Sequence, residues 1–594
     1  EFFQLTDQTI SDITDELSFG IVKGASNNSF QQFEAQTKSS SSINVNINVP
    51  SENIILNRKV MLQTTLNFEI EITGVPPKTA TTGTTPAVPQ DNVFNYGSNA
   101  ALQAFPINSL FSNVTCSINN TNVNCNLKDI LPQLLLLNNN KLLAQYNSTA
   151  PSQPDYYYKN YKDGVGNSNN VLAGYKNSLS NDLSPRGAFV LDSIKRFYKA
   201  KDATDWSTKN ENASTDPEDK FLIQMTVTTT EPFIGLSPFI FGDPKHNSQG
   251  LVGINSLNFM MNIGNADRMF SYAGPGMDSK SVVSTSSIRL GHSATVSGSS
   301  AKEAFSSCKV LCNFLTAQDT DVIDAKNVVP YIDFPRYITN GTSVSAALST
   351  DYKIDYSVIP NSTIQTNNLQ LNQLPDYFII VVRKPMRDQK ITDSSTFLAI
   401  ENVSVSLSNS QGLLSNAQQV DLWKMSVRNG SSQSFEEFSG LASSGDGAVP
   451  ERTLTTGSLL IINPALDLSL PSYLSNGSIG QFNFTMTIQY KNISEETFTP
   501  EACIMCCNSG SMTTISGSSM IQTGLLTKDI VVNSSSTESM PFNTYSRLIG
   551  GNLSDRPMTN VKKLFHSLKK KIISGSGVRS GGSYSKNSNL DEFV

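Results

Sequence analysis

Histidine and cysteine, the side chains that most often carry chemistry, are few in this chain and poorly placed for catalysis. The 594 residues contain three histidines, His246, His292 and His566, which lack partners at the spacing of a metal site or catalytic triad. No glycine-rich phosphate loop follows a strand, and no Gly-x-Ser-x-Gly motif occurs. These residues predict a protein that is not an enzyme, and they indicate no cofactor.

The seven cysteines include two local groups. Cys503, Cys506 and Cys507 form a CxxCC motif, and Cys308 and Cys312 form a CxxxC motif. One interpretation is a zinc site that draws on both groups. Because most of these cysteines lie on apolar, strand-like stretches, we favour buried free thiols. The N-terminal residues lack the pattern of a secretory signal, so we expect a reducing compartment and no glycans on the Asn-x-Ser/Thr triplets.

The C-terminal tail, residues 533–594, is basic although the whole chain has a net charge of −6. From Ser536 on it contains nine Lys or Arg and four Asp or Glu. A helical projection separates an apolar stripe (Val561, Leu564, Phe565, Leu568, Ile572) from a lysine stripe (Lys562, Lys563, Lys569, Lys570, Lys571). Such a basic amphipathic helix binds nucleic-acid phosphates, a membrane surface or an acidic partner. A solvated helix docked on the body of the protein is the alternative.

The body that positions these residues is predicted to be β-sheet. Charged residues make up 16% and hydrophobic residues 38% of the chain, and short alternating segments between turn signals recur throughout. The clearest strand lies in residues 58–72, with apolar side chains on one face and Glu69 and Glu71 on the other. No apolar run reaches the roughly 18 residues of a membrane span.

One unit occurs twice and divides the chain into two halves. In residues 401–440 an alternating strand and a polar turn precede a helix, for which Ser415 and Gln418 predict a capping box. Gly430 should end this helix, whose apolar face is formed by Val420, Trp423 and Val427.

Residues 104–137 repeat this plan in the first half. Two alternating segments meet at Asn119-Asn120, and a helical run from Lys128 follows, which Pro132 would kink or end. Residues 253–265 and 480–492 form a second matching pair, and each would be a late strand of its half. The sequence therefore predicts two copies of one architecture.

Four segments in order carry a resemblance to a known family: AFPINSLFSNV (104–114), LNFMMNIGNADRMFSY (257–272), LPDYFIIVVRKP (374–385) and residues 401–440. They resemble the major capsid proteins of virophages and of Polinton/Maverick-type and polinton-like viruses, over roughly residues 43–532. The resemblance implies an all-β fold of two consecutive eight-stranded jelly rolls, a double jelly roll, with short helices in loops. The basic amphipathic C-terminal helix completes the predicted fold.

This resemblance and the composition suggest five parts. They are an N-terminal arm (1–42), jelly roll 1 (43–273), a Gly/Ser-rich linker (274–302), jelly roll 2 (303–532) and the basic tail (533–594). Ile10, Ile13 and Leu17 predict a short amphipathic helix in the arm, and a frayed terminus is the alternative. In the family such arms lie under the shell and tie neighbouring subunits together.

The family resemblance implies a major capsid protein that forms homotrimers. These pseudo-hexagonal capsomers would tile an icosahedral virion shell around the DNA genome, assembled inside the infected host cell. The implied partners are neighbouring capsomers, penton and minor capsid proteins, and genomic DNA or an inner membrane through the tail.

Two glycine patterns in the tail resemble the cleavage sites of adenovirus-type cysteine proteases. Ile573, Gly575, Ser576 and Gly577 fit the main consensus, and Leu548, Gly550 and Gly551 fit its Gly-Gly variant. Glycine lets an extended backbone enter a narrow protease cleft without side-chain collision. The sequence therefore predicts that a viral protease processes the tail, although short glycine patterns also arise by chance in Gly/Ser-rich segments.

Two other functions fit parts of the sequence. The loop around Tyr156–Tyr161 could stack on sugars, as in a carbohydrate-binding or adhesion protein. Some glycoamidases also use two jelly rolls, but they need an acidic group in a cleft, and no carboxylate pair here stands out. We favour the capsid interpretation because the family segments keep their order along the chain.

Overall fold

A computed structural model describes most of the body of the chain. The described residues are 25–51, 54–73, 94, 96, 100–137, 149–152, 154, 190–199, 203–206, 220–239, 250–272, 284–285, 288–294, 300–317, 326–346, 356–444, 451–468, 470, 476–494, 496–515 and 517–524. The predicted tail helix, the predicted helix around Ile13 and the Tyr156–Tyr161 loop lie outside these residues.

The first half contributes fifteen strands to the described part of the chain. They are β1 (Ala25–Glu34), β2 (Thr37–Lys38), β3 (Ser42–Asn48), β4 (Ile54–Leu56), β5 (Met61–Thr73), β6 (Ala100–Leu102), β7 (Phe111–Ile118), β8 (Thr121–Cys125), β9 (Val190–Lys199), β10 (Lys220–Pro232), β11 (Ser256–Ile263), β12 (Phe270–Tyr272), β13 (Ser284–Thr285), β14 (Arg289–Leu290) and β15 (Phe305–Ala317). Its helices are α1 (Pro106–Leu110), α2 (Leu127–Leu137) and a 3-10 helix (Ala266–Met269).

The second half has a similar mixture of strands and short helices. Its strands are β16 (Lys326–Asp333), β17 (Arg336–Asn340), β18 (Asn361–Gln365), β19 (Leu369–Gln373), β20 (Tyr377–Arg383), β21 (Ala399–Leu407), β22 (Ser410–Leu413), β23 (Leu441–Ser444), β24 (Glu451–Leu454), β25 (Leu460–Ile462), β26 (Ile479–Lys491), β27 (Glu501–Ile515) and β28 (Ser518–Thr523). The helices are a 3-10 helix (Tyr356–Val358), α3 (Gln419–Arg428), α4 (Phe435–Ser439) and α5 (Pro464–Asp467). None of the described helices is long and apolar enough to cross a membrane.

Both halves fold into a two-sheet sandwich with the same strand order. Sheet 1A has the order β1-β15-β5-β10-β9, and sheet 1B the order β2-β3-β11-β7-β8. Sheet 2A has the order β16-β27-β20-β25, with β17 also on β27, and sheet 2B the order β18-β26-β21-β22, with β19 also on β26. Eight main strands in each half follow one plan: β1, β3, β5, β7, β8, β10, β11 and β15 in the first half, and β16, β18, β20, β21, β22, β25, β26 and β27 in the second. When these are counted one to eight along the chain, strands 1, 8, 3 and 6 lie side by side in sheet A, and strands 2, 7, 4 and 5 lie side by side in sheet B. This is the jelly-roll arrangement, and the predicted double jelly roll is confirmed.

The two repeated units predicted from the sequence occupy matching places. β11 lies between β3 and β7, β26 lies between β18 and β21, and the hairpins β7–β8 and β21–β22 lie beside them. Helix α2 follows the first hairpin and helix α3 the second. The two copies are therefore structural equivalents.

Strand pairing differs from the predicted boundaries of the two sandwiches. β1 lies within the predicted arm and β15 within the predicted second jelly roll, yet they pair with each other along sheet 1A. β13 and β14, within the predicted linker, both pair with β5. Alternation predicts that a segment is a strand but not its partner. We therefore propose boundaries of 25–317 for jelly roll 1 and 326–524 for jelly roll 2.

Helix α3 differs from its prediction in both its start and its buried face. It begins at Gln419, because Gln418 and Asp421 form the capping box, while Ser415 lies in the preceding turn. Leu422 and Ser426 are buried, whereas Val420 and Val427 are 39% and 42% exposed. Gly430 follows the helix with a φ of 107°, in the left-handed region that favours glycine, as predicted.

Candidate functional site

The contact between the two sandwiches contains buried charged side chains from both. Helix α2 of the first sandwich packs there against sheet 2A of the second. Ile130, Leu131 and Leu134 of α2 belong to one apolar cluster with Val381 and Cys503 of sheet 2A. Pro132 lies inside α2 without ending it, and the helix continues to Leu137.

Sheet 2A is apolar on both faces because it is covered on both faces. Along β20, Phe378, Ile380 and Val382 enter the core of the second sandwich. The residues between them, Ile379 and Val381, enter the cluster shared with the first sandwich. Covering on both faces explains why the sequence IIVV is continuous rather than alternating.

Arg383, at the end of β20, is the central residue of this contact. Its side chain is fully buried, and its Nη1 donates to the carbonyl oxygen of Asp129 at 2.8 Å. Its Nε donates to Glu501 Oε1 at 2.9 Å within sheet 2A. The Asp129 carboxylate also accepts from Arg336 Nε on β17, at 2.5 Å. One helix of the first sandwich is thus held by two strands of the second.

Buried charges of both signs meet at this contact. Arg268 lies nearby, and burial together with the charge of Arg383 lowers its pKa to about 10, against the opposing effect of Asp129 and Glu501. Burial also raises the pKa of the Cys503 thiol to about 11. Buried charges are tolerated only when paired, so each of these groups depends on the others. The arrangement joins the two sandwiches.

Further hydrogen bonds cross between the sandwiches near the β27–β28 turn. Thr514 Oγ1 donates to Val252 O at 2.5 Å, and Ser519 N donates to Asn120 Oδ1 at 2.9 Å. Asn327 Nδ2 donates to Gly250 O at 2.6 Å. These bonds tie the Asn119-Asn120 hairpin turn and residues 250–252 of the first sandwich to the second.

A second buried carboxylate holds helix α1 inside the first sandwich. The side chain of Glu231 on β10 accepts hydrogen bonds from Ile107 N at 2.9 Å and Asn108 N at 3.0 Å. Asn108 Nδ2 adds a third bond at 2.8 Å. Burial raises the pKa of Glu231 to about 7, although the hydrogen bonds oppose this change.

Most of the predicted site residues lie outside the described part of the chain. These are the lysines 562, 563, 569, 570 and 571, both sets of protease-site residues (548, 550, 551 and 573, 575, 576, 577), His246 and His566. His292 is buried, with Nε2 at 2.9 Å from Met225 O. All seven cysteines are free, and six are buried, in agreement with the interpretation as buried thiols. In the described part of the chain no group of three His, Cys, Asp or Glu is arranged to hold a metal ion.

Sequence reasoning missed Arg383 and Asp129 as a pair. Arg383 follows directly on an apolar run and Asp129 lies in a leucine-rich helix, and a charge in such surroundings signals a buried partner. The identity of the partner could not be read from the sequence, because the two residues belong to different sandwiches.

Comparison with known proteins gives the family. Residues 3–315 match the first domain of the Sputnik virophage major capsid protein, and residues 334–510 match the C-terminal domain of major capsid protein V20. The chain is 24% identical over 555 residues to the putative capsid protein V20 of Sputnik virophage, covering 91% of this chain and 82% of that protein.

Two solved structures share the fold. A chain of the Sputnik virophage structure at 3.5 Å resolution matches with a TM-score of 0.67 and 22% identity, over 89% of this chain and 94% of that chain. The mavirus major capsid protein matches with a TM-score of 0.60 and 14% identity, over 84% of this chain and 91% of that chain.

Two equivalent jelly rolls, together with the matches to capsid-protein families, define this chain as a double jelly-roll capsid protein. More specifically, the chain belongs to the Sputnik virophage major capsid protein family, and the resemblance found in the sequence is confirmed. It is a major capsid protein, and its location is the virion shell.

Proposed function

We propose that three copies of this chain assemble into a pseudo-hexagonal capsomer, and that such capsomers tile an icosahedral shell around the DNA genome. One observation carries the proposal. The same strand order occurs twice in the chain, and the two copies are held in one relative orientation by buried contacts. Three such chains supply six similar sandwiches, which is the number that a hexagonal outline needs.

The mechanism of such a protein is geometric. A head-to-tail contact joins two different surfaces, and it generates a closed ring when the rotation between neighbours, repeated, returns to the first subunit. The two halves of each chain already make one such contact, so a ring of three chains needs only one further type of contact, between copies. Permanent contacts of this kind bury large areas and are apolar at their centre.

We further propose that the chain acts structurally and not as an enzyme. Three buried acids of the described chain are engaged by other groups: Asp129 and Glu501 by arginines, and Glu231 by amide donors. A hydrolase needs a carboxyl group that reaches a substrate. The partners that we propose are neighbouring capsomers, penton and minor capsid proteins, a viral cysteine protease, and DNA or an inner membrane at the tail.

Solution mass and particle shape test the assembly. Light scattering of the purified chain should give three times its mass of 64.6 kDa, unchanged on dilution. Negative-stain images of the same sample should show six-sided particles. A chain that stays monomeric at high concentration contradicts the proposal, and a glycan-binding screen would then be the next experiment.

A further inference from the structure

Helix α3 is the equivalent of α2 in the second sandwich, but no element of the described chain covers it as sheet 2A covers α2. Both helices follow the second strand of the matching hairpin, and both carry an aspartate at their third residue, Asp129 and Asp421. Asp129 is 2% exposed, whereas Asp421 is exposed. The outer face of α3 also exposes Val420, Lys424 and Val427.

Sheet 1A is the equivalent of sheet 2A, and its outer face is only partly covered. In β15, Cys308, Val310 and Cys312 enter the core of the first sandwich. Lys309 and Leu311, which alternate with them, lie on the outer face and are half-buried. They pair with Gln63 and Met61 of β5, so this part of the face mixes polar and apolar groups.

We infer that the outer face of α3 in one copy docks on the outer face of β5 and β15 in the next copy. This inference rests on the proposed trimer and names the surface that closes it. Within the chain, an α2-type helix already packs on an A-type sheet, joined by an aspartate and arginines. The contact between copies repeats that arrangement, with α3 of one copy in the place of α2 and sheet 1A of the next copy in the place of sheet 2A.

The charges of the two surfaces are complementary. Helix α3 presents Asp421 and Lys424, and sheet 1A presents Lys309 and Glu34. Lys309 Nζ lies 3.6 Å from Glu34 Oε2, and the two side chains are 32% and 53% exposed. Such a surface ion pair is weak, so its members can exchange partners. Asp421 thus meets Lys309 as Asp129 meets Arg336.

The polarity of the two contacts differs for a physical reason. The contact within the chain forms during folding, so its sheet face is never exposed in the folded protein and can consist of apolar residues such as Ile379 and Val381. The contact between copies forms after each chain has folded, so its two faces must first be soluble in water. Mixed polar and apolar surfaces satisfy that condition.

A single substitution on α3 tests the contact. In the full chain, Val427→Asp should raise the dissociation constant of the trimer about tenfold or more, because the contact would bury a charge without a partner. Val358→Asp is the matched control, since Val358 is 53% exposed on a different element, and it should leave the trimer unchanged. A Val427→Asp protein that dissociates like the control overturns the inference.

A charge exchange gives an independent test, and circular dichroism of each variant checks its folding, because Asp421 also forms the capping box of α3. Asp421→Lys and Lys309→Asp should each weaken the trimer, and the double variant should recover most of the loss. Losses that simply add in the double variant overturn the pairing of these two surfaces. If the unmodified chain forms no trimer at all, the proposed capsomer is wrong, whereas a stable trimer insensitive to all of these changes refutes only the docking surface.

Discussion

Arg383 and Asp129 lie 254 residues apart in different jelly rolls, and the Arg383 Nη1 atom donates to the Asp129 carbonyl oxygen at 2.8 Å. Both side chains are almost completely buried, at 0% and 3% exposure. The donors of a guanidinium form a rigid fork, so this bond, with the other contacts between the sandwiches, restricts how they sit relative to each other. The orientation of the halves, on which a hexagonal outline depends, is therefore determined inside one chain.

Replacing Arg383 by methionine should strongly destabilise the protein. The change leaves Glu501 without its Arg383 partner and deprives Asp129 of a donor, and breaking a buried pair costs about 3–5 kcal/mol. The melting temperature, followed by circular dichroism, should fall by several degrees. Arg387→Met is the control, because the Arg387 side chain is 74% exposed beside Asp388. Equal melting temperatures for the two variants would show that Arg383 does not hold the sandwiches together.

Glu231 should make stability depend on pH. Its pKa rises from 4.5 to about 7 in the folded chain, so the folded state holds the proton more tightly than the unfolded state. The stabilisation is present in full below the unfolded pKa and is lost as pH rises through about 7, a change of roughly 3 kcal/mol. Denaturation between pH 4.5 and 8 should therefore show wild-type stability falling relative to Glu231→Gln.

Glu71→Gln controls for the general effect of removing a carboxylate. Glu71 lies on the same sheet beside Lys220, with a side chain 33% exposed. This variant should keep the wild-type dependence on pH. A Glu231→Gln protein with that same dependence would show that Glu231 stays charged throughout the range.

The sequence predicted the parts of the fold that depend on local pattern. Alternation predicted the apolar face of β5, and the repeated segments predicted that β11 and β26 are equivalent. The family resemblance predicted the double jelly roll. The partner of β1 and the covered face of α3 did not follow, because they depend on contacts that are distant in sequence. Val420 and Val427 share a helical stripe, yet the structure buries Leu422 and Ser426 instead. For the same reason, the pairing of Arg383 with Asp129 had no local signal.

Gly457 should tolerate no side chain. Its φ is 78°, and a Cβ atom would lie 2.1 Å from the carbonyl oxygen of Phe397. Gly457→Ala therefore needs the backbone to move, and we expect little soluble, folded protein. Gly430→Ala separates this effect from conformational strain alone, since Gly430 has a φ of 107° and no atom within 4 Å of its Cβ position. That variant should fold and lose only about 1 kcal/mol.

The cysteines should be protected from thiol reagents in the folded protein. Six are buried and Cys507 is half-buried, and burial raises the pKa of the thiols, for example to about 12 for Cys125 and Cys312. The thiolate is the reactive form, so labelling by an aromatic disulfide should be slow until denaturant is added. Rapid labelling of several cysteines in the native protein would contradict this packing.

The two predicted protease sites have opposite consequences for the basic tail. A cut within residues 573–577 keeps lysines 562–571 on the capsid protein, whereas a cut within residues 548–551 releases them. If the lysines bind DNA or a membrane inside the shell, only the first cut preserves that contact.

Intact mass spectrometry of the capsid protein from purified virions distinguishes the two cuts. We expect a chain that ends within residues 573–577, and Gly575→Val should then block the cut, because a branched side chain no longer fits a cleft that accepts glycine. A mature chain that still extends beyond residue 577 would show that these glycine patterns are not protease sites.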